Sequence, residues 1–159
     1  MAKEAKTKKV PSKIVARLLA QSLVEVNIFA QPEDEGDKVE LRYHASIDSP
    51  ERLIDNKFFF RCNFSVTKKK VEAEEDGQSV EATYGCILQH PSDDLSMVEE
   101  TAKRYAGTAA WNAFASLFAV LTHQMRTSFP PLPASPGGIG SSGRSSFDED
   151  DANDEKEKV

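Results

Sequence analysis

Only two cysteines, one tryptophan and three histidines are spread over the 159 residues. Those scarcities exclude several chemistries. Cys62 and Cys86 are too few, and too far apart along the chain, for a zinc site or a disulfide framework. Both fall on apolar alternations, so buried free thiols are expected rather than nucleophiles. His44, His90 and His123 share no motif spacing, which leaves neither a metal-ligand set nor a catalytic triad in view. No run of roughly 18 apolar residues occurs, and no apolar segment of signal-peptide length follows the lysine-rich start. The expectation is a soluble cytoplasmic protein with no membrane insertion, in which the sequon Asn63-Phe64-Ser65 is silent.

A basic stripe is also missing. The formal net charge is −6 and the isoelectric point about 5.1. Residues 1 to 10 carry +3 and residues 147 to 159 carry −5, which leaves −4 on the body between them. An acidic body lacks the field that binding to a phosphate backbone requires, which argues against nucleic acid as a partner. Gly137-Gly138-Ile139-Gly140 neither follows a strand nor opens a helix, so it lacks the setting of a phosphate loop. Asp93-Asp94 and Glu99-Glu100 flank a helix start, where carboxylates are favoured by exposed amides and the dipole; capping accounts for them without catalysis. Nothing reads as an enzyme, and no cofactor or metal is expected.

What is present is hydrophobic periodicity. Ser12 is placed to cap a short helical turn through Ile14, Val15, Leu18 and Leu19. From Leu23 the period becomes two, with Val24, Val26, Ile28 and Ala30 against Glu25 and Asn27 until Pro32. Val39, Leu41, Tyr43, Ala45 and Ile47 alternate with polar residues until Asp48-Ser49-Pro50. A third strand carries Phe58, Phe60, Cys62, Phe64 and Val66 and ends in the solvated run Lys68 to Lys70. Asp76-Gly77 supplies a tight turn, and Val80, Ala82, Tyr84, Cys86 and Leu88 form a fourth strand antiparallel to the third. Residues 99 to 127 contain no proline, and Trp111, Phe114, Phe118, Leu121 and Met125 make one helical stripe, widened by Leu117 and Val120. Pro130, Pro131 and Pro133 stop that helix. The expected fold is α+β: a four-stranded antiparallel sheet packed by one long C-terminal amphipathic helix. Residues 1–11 form a disordered basic tail, 12–133 the domain, and 134–159 a Gly/Ser linker with an acidic disordered tail.

Some apolar residues break the alternation. Leu23, Phe29, Phe59 and Ile87 stand on faces otherwise held by Glu25, Asn27, Arg61, Asn63, Glu81 and Gln89. Clustered exposed apolar groups mark a protein-binding surface, although single ones are common.

The order of four strands, long helix and then Arg126-Thr127-Ser128-Phe129-Pro130-Pro131-Leu132 resembles the SecB family of cytoplasmic export chaperones and its SecB-like relatives. That segment is similar to the family's Arg-Gly-x-Phe-Pro-x-Leu at the helix end. Val26-Asn27-Ile28-Phe29-Ala30-Gln31-Pro32 is similar to its first strand. The family's Leu-Phe-Pro-Tyr-Ala-Arg and Pro-Val-Asn-Phe segments are absent. Val26 and Ala30 stand where export-type members carry acids that dock on the SecA motor, so the resemblance does not carry that partner over. It implies an ATP-independent holdase, a dimer or tetramer of this chain whose apolar grooves bind unfolded clients. Phe29, Phe59, Ile87, Phe129 and Leu132 are the peptide-binding candidates.

Two alternatives from other classes stand beside this one. Phe58, Phe59 and Phe60 on a small sheet, with an acidic tail, also describe a single-stranded nucleic-acid-binding protein that stacks bases. A structural oligomer component is the other.

Overall fold

The computed structural model describes residues 15–30, 38–71, 76–125 and 129–141. Four long strands, β1 (Arg17–Phe29), β2 (Val39–Ile47), β4 (Lys57–Lys70) and β5 (Asp76–Gln89), form an antiparallel sheet with two short additions, β3 (Glu51–Arg52) and β6 (Gly140–Ser141). The order across the sheet is β1-β5-β4-β2-β6, and β3 pairs with the start of β4. The architecture is thus α+β as expected, with six strands rather than four. The two extra strands are two residues long, too short for a periodicity to reveal.

Period two dictates burial on the central pair. On β4, Phe58, Phe60, Cys62, Phe64 and Val66 are buried, as are Val80, Ala82, Tyr84, Cys86 and Leu88 on β5. The antiparallel register sets Cys62 against Tyr84 and Phe64 against Ala82. Each large apolar side chain removed from water in this way contributes about 1.5–3 kcal/mol.

The helix covering this face begins at α1 (Leu95–Tyr105), where the Asp94 side chain accepts the Ser96 amide hydrogen at 2.9 Å. It passes through one π-helical turn, Ala106–Ala110, and continues as α2 (Trp111–Met125). Small residues in Ala106-Gly107-Thr108-Ala109-Ala110 permit the wide turn close to the sheet. Trp111, Phe114 and Phe118 are buried as their spacing predicts. Phe64 lies 5.2 Å from Phe114 and 5.6 Å from Trp111, ring centre to ring centre. Val120 does not widen the stripe; it is 61% exposed.

Several expectations are corrected. The helical turn through Val15, Leu18 and Leu19 is absent, because β1 already begins at Arg17; Ser12 and Ile14 lie outside the described residues. Bulges at Leu19 and Val24 reset the register of β1, so that Leu23 faces Tyr84 on the helix side and Val24 goes to the opposite side. Asp76-Gly77 is inside β5 rather than at its turn. Gly77 sits at a bulge where an added Cβ would meet the Lys68 carbonyl oxygen at 3.3 Å. Lys68 is not a solvated end: it is buried, with its ammonium 5.3 Å from the centre of the Phe129 ring. The observed tight turn is Asp55-Asn56, with φ of 59° and 57°, the two left-handed positions that join a hairpin and that Asp and Asn tolerate.

The tail beyond the prolines is part of the sheet's cover. Phe129 packs edge-on against Phe118 at 5.2 Å, and the Trp111 indole donates to the Pro133 carbonyl at 2.8 Å. Ile139 packs on the core, and β6 pairs parallel with Ser46 and Ile47. Residues 134 to 141, expected as linker, therefore run back along the helix onto the edge of β2; residues 142–159 lie outside the described residues.

Truncation of Phe114 tests this account of the core. Phe114→Ala should cost about 3–5 kcal/mol in urea unfolding, whereas Val120→Ser should stay within about 0.5 kcal/mol.

Candidate polypeptide-binding surfaces

Along both margins of the sheet, strand backbone and apolar side chains are left uncovered by the described residues. β1 has no neighbour on its outer side among the described residues, and its Leu19, Leu23, Val24, Ile28 and Phe29 are all exposed. Leu18 and Val26 reach the core, facing Leu88 and Ala82. Leu23 and Ile28 share that side of the sheet yet stay 45% and 46% exposed. At the other margin β2 is paired outside, among the described residues, only at Ser46 and Ile47, and its Val39 and Tyr43 are exposed.

The side of the sheet away from the helix carries a small apolar patch. Phe59 and Ile87 are direct cross-strand partners and both are half-buried. Gly85 makes the patch possible: an added Cβ there would lie 3.2 Å from Val24 and 3.3 Å from the Phe59 ring. Two bulky residues thus close over a position that only glycine leaves vacant. The rest of this side is polar. Asn63 donates to Asp48 at 2.9 Å and accepts from Thr83 at 3.1 Å, and Asn63 and Thr83 line a shallow depression with Glu25, His44 and Glu81.

The five peptide-binding candidates therefore divide. Phe59 and Ile87 come together with Val24. Phe129 and Leu132 lie on the opposite side, against the helix and the core. Phe29, 49% exposed, faces Ser79, eight residues along β5 from Ile87, a separation of about 26 Å along the strand. They do not make one groove. The periodicity missed Val24, Leu19 and Ile28 as surface residues: Leu19 and Val24 sit at bulges, which leave no mark in the apolar pattern, and Ile28 faces the helix side but stays exposed.

Other features bear on chemistry. The register of β4 and β5 brings the cysteines, 24 residues apart in sequence, to a sulfur-to-sulfur distance of 3.8 Å. Sequence separation was a poor guide to their distance, yet both are free and buried. The hydrogen bond to Cys86, together with burial, pushes the Cys62 thiol far above its ordinary value, and the same hydrogen bond holds the Cys86 thiol below its own against the opposing effect of burial. Burial also raises Tyr84. His90 is buried: its Nδ1 accepts from the Ser92 amide at 3.0 Å and its Nε2 meets the Thr101 hydroxyl at 3.1 Å. It ties β5 to α1. No group of three metal-ligating residues occurs among the described residues. Phe58 and Phe60 are buried beneath the helix, so two of the three candidate base-stacking rings are not available to stack.

No protein-family model and no curated protein matches this sequence. The fold is nevertheless a known one: one antiparallel sheet with a long C-terminal helix on one side is the SecB-like α+β fold. The structure that carries this likeness is the Mycobacterium tuberculosis Rv1957 SecB-like chaperone in complex with a ChAD peptide from the Rv1956 HigA1 antitoxin. It aligns with a TM-score of 0.54 at 13% identity, covering 74% of this chain and 88% of that one. At that identity the likeness is one of fold. No helix among the described residues is long and apolar enough to cross a membrane.

Glu99 reports on the docked tail. It accepts from the Ser141 hydroxyl and pairs with Lys103 at 3.1 Å. The Ser141 hydrogen bond, aided by Lys103, lowers its pKa below the ordinary value. A lowered carboxyl contributes stability that is full above the value it has when undocked and is lost as pH falls through the lowered one. The Ile139 methyl resonances should therefore shift toward those of a released tail with an acid midpoint below the ordinary glutamate range. In Glu99→Gln that pH-dependent step should vanish.

Proposed function

We propose that the protein is an ATP-independent holdase that keeps nonnative polypeptides soluble and works as a dimer or tetramer. The observation that carries this reading is the uncovered sheet margin. A 13-residue edge strand with exposed apolar groups on both of its sides is a template for pairing with another chain. A protein that left it open without use would aggregate. Exposed apolar surface, sequence-tolerant backbone pairing and a net negative charge are the properties that holding an unfolded chain in solution requires. No nucleotide is needed.

The β1 edge is the place for a second copy, since every molecule presents the same long edge and self-pairing follows from concentration alone. Clients then take the Val24, Phe59 and Ile87 patch and the β2 margin beside Phe129 and Leu132. The peptide-bound SecB-like neighbour supports polypeptide binding at the level of fold. Val26 packs toward the core, which argues against docking on the SecA motor through that position. A role in export would need a different docking surface.

Aggregation of a chemically unfolded test client, followed by turbidity without nucleotide, measures the activity. Wild-type protein should suppress it at near-stoichiometric ratio. Phe59→Ser and Ile87→Ser should each weaken suppression several-fold while changing stability by about 1 kcal/mol. Unchanged suppression in both would remove the patch from the client surface. A monomeric mass by light scattering, with no suppression by wild type, would end the holdase reading. Tight, salt-sensitive binding of single-stranded DNA would put the nucleic-acid alternative in its place.

A further inference from the structure

We infer that residues 137 to 141 form a hinged latch that shuts the edge of β2, and that an arriving extended chain must displace it. The inference rests on the proposed holdase function and adds how access to one of its surfaces is controlled.

The tail after α2 is held in two unequal parts. Its first part is anchored in the core: Phe129 lies edge-on against Phe118, Lys68 sits over the Phe129 ring, and Trp111 donates to the Pro133 carbonyl. Its last part is held at the edge of the sheet. Ile139 lies over Gly107 of the π turn, 3.7 Å from where a Cβ on that glycine would stand. Gly140 and Ser141 pair with Ser46 and Ile47, and the Ser141 hydroxyl donates to Glu99. Between the parts stand Gly137 and Gly138. Gly137 has φ of +84°, and no atom lies within 4 Å of a Cβ position on either residue. Two glycines with open space where a side chain would stand, one in a backbone conformation that other residues rarely adopt and tied to the nearby Ser135 hydroxyl, make a hinge.

The edge that the latch closes is longer than the latch. β2 spans nine residues, and among the described residues only its last two are covered from outside. The covering ladder is parallel, the less stable arrangement per residue. An antiparallel strand entering at Val39 could run the whole length of β2 and pass exposed Tyr43 on its way. Nine residues of pairing against two give the incoming chain the advantage, provided that Ile139 and Ser141 let go. The occupant this edge fits is therefore an extended polypeptide segment that adds as a strand.

The geometry supplies its own lock. A Cβ built on Gly140 stands 3.8 Å from the Ser46 Cβ, within the roughly 3.5–4.5 Å range of disulfides. Ser46→Cys with Gly140→Cys in the full chain should therefore be closed by oxidant and reopened by reductant, and wild type given the same oxidant controls for the neighbouring Cys62 and Cys86 thiols. The probe is reduced, carboxymethylated α-lactalbumin, which stays unfolded. The oxidised form should bind it at least tenfold more weakly than the reduced form, and the reduced form should match wild type. Ile139→Ser, which loosens the latch without a crosslink, should bind more tightly than wild type. Equal affinity of the oxidised and reduced forms would overturn the latch while leaving the holdase reading intact. Absence of binding by wild type and by every variant would sink the holdase reading, and the latch with it.

Discussion

One helix cannot cover four strands, and most of this structure follows from that mismatch. A helix with its side chains is about 10 Å across, whereas four strands spaced about 4.8 Å apart make a sheet roughly 15–20 Å wide. α1 and α2 lie over the central pair, β4 and β5, whose helix-facing residues are buried from Phe58 to Val66 and from Val80 to Leu88. The aromatic contacts of Phe64 with Trp111 and Phe114 fix the helix there. Both margins are left over, and each carries apolar residues that the helix does not reach.

The two margins are handled differently. On the β2 side the chain returns after α2 and lays Phe129, Leu132 and Ile139 against the core, ending as β6 beside Ser46 and Ile47. On the β1 side no described residue performs that service, so Leu23 and Ile28 stay exposed although they face the same way as Leu18 and Val26. The proposed division of labour comes from this asymmetry: a long edge that no described residue covers suits a permanent partner, and an edge closed by a short, hinged segment suits a transient one. A holdase needs both a stable assembly and a reversible site.

How much of this was legible in the sequence depended on which physical signal each feature leaves. Strict alternation from Phe58 to Val66 and from Val80 to Leu88 marked the central strands, because full burial of one side permits no exception. The spacing of Trp111, Phe114 and Phe118 marked the helix for the same reason. β1 was half legible: two bulges shift its register, so Leu23 and Val24 exchanged sides relative to their alternation. The nearness of Cys62 and Cys86 follows from strand register, which a single sequence does not encode locally. The return of residues 134 to 141 was hidden by composition, since glycine and serine describe a hinge as well as they describe a linker. Of the candidate site, Phe59 and Ile87 were found together because both violate the pattern on paired strands. Phe129 and Leu132 were found from the proline-stopped helix end, but nothing in the sequence placed them across the sheet from the other two.

Amide hydrogen exchange of the full chain, with and without an unfolded client, tests the central claim most directly, because it reads the strand edges themselves. The account predicts that residues 17–29 are already slowed at concentrations where the protein self-associates, and that residues 39–47 slow further only when client is added. Residues 57–70, paired on both sides, should not change. If neither edge gains protection from a second copy or from client, the uncovered margins are not binding surfaces and the account fails.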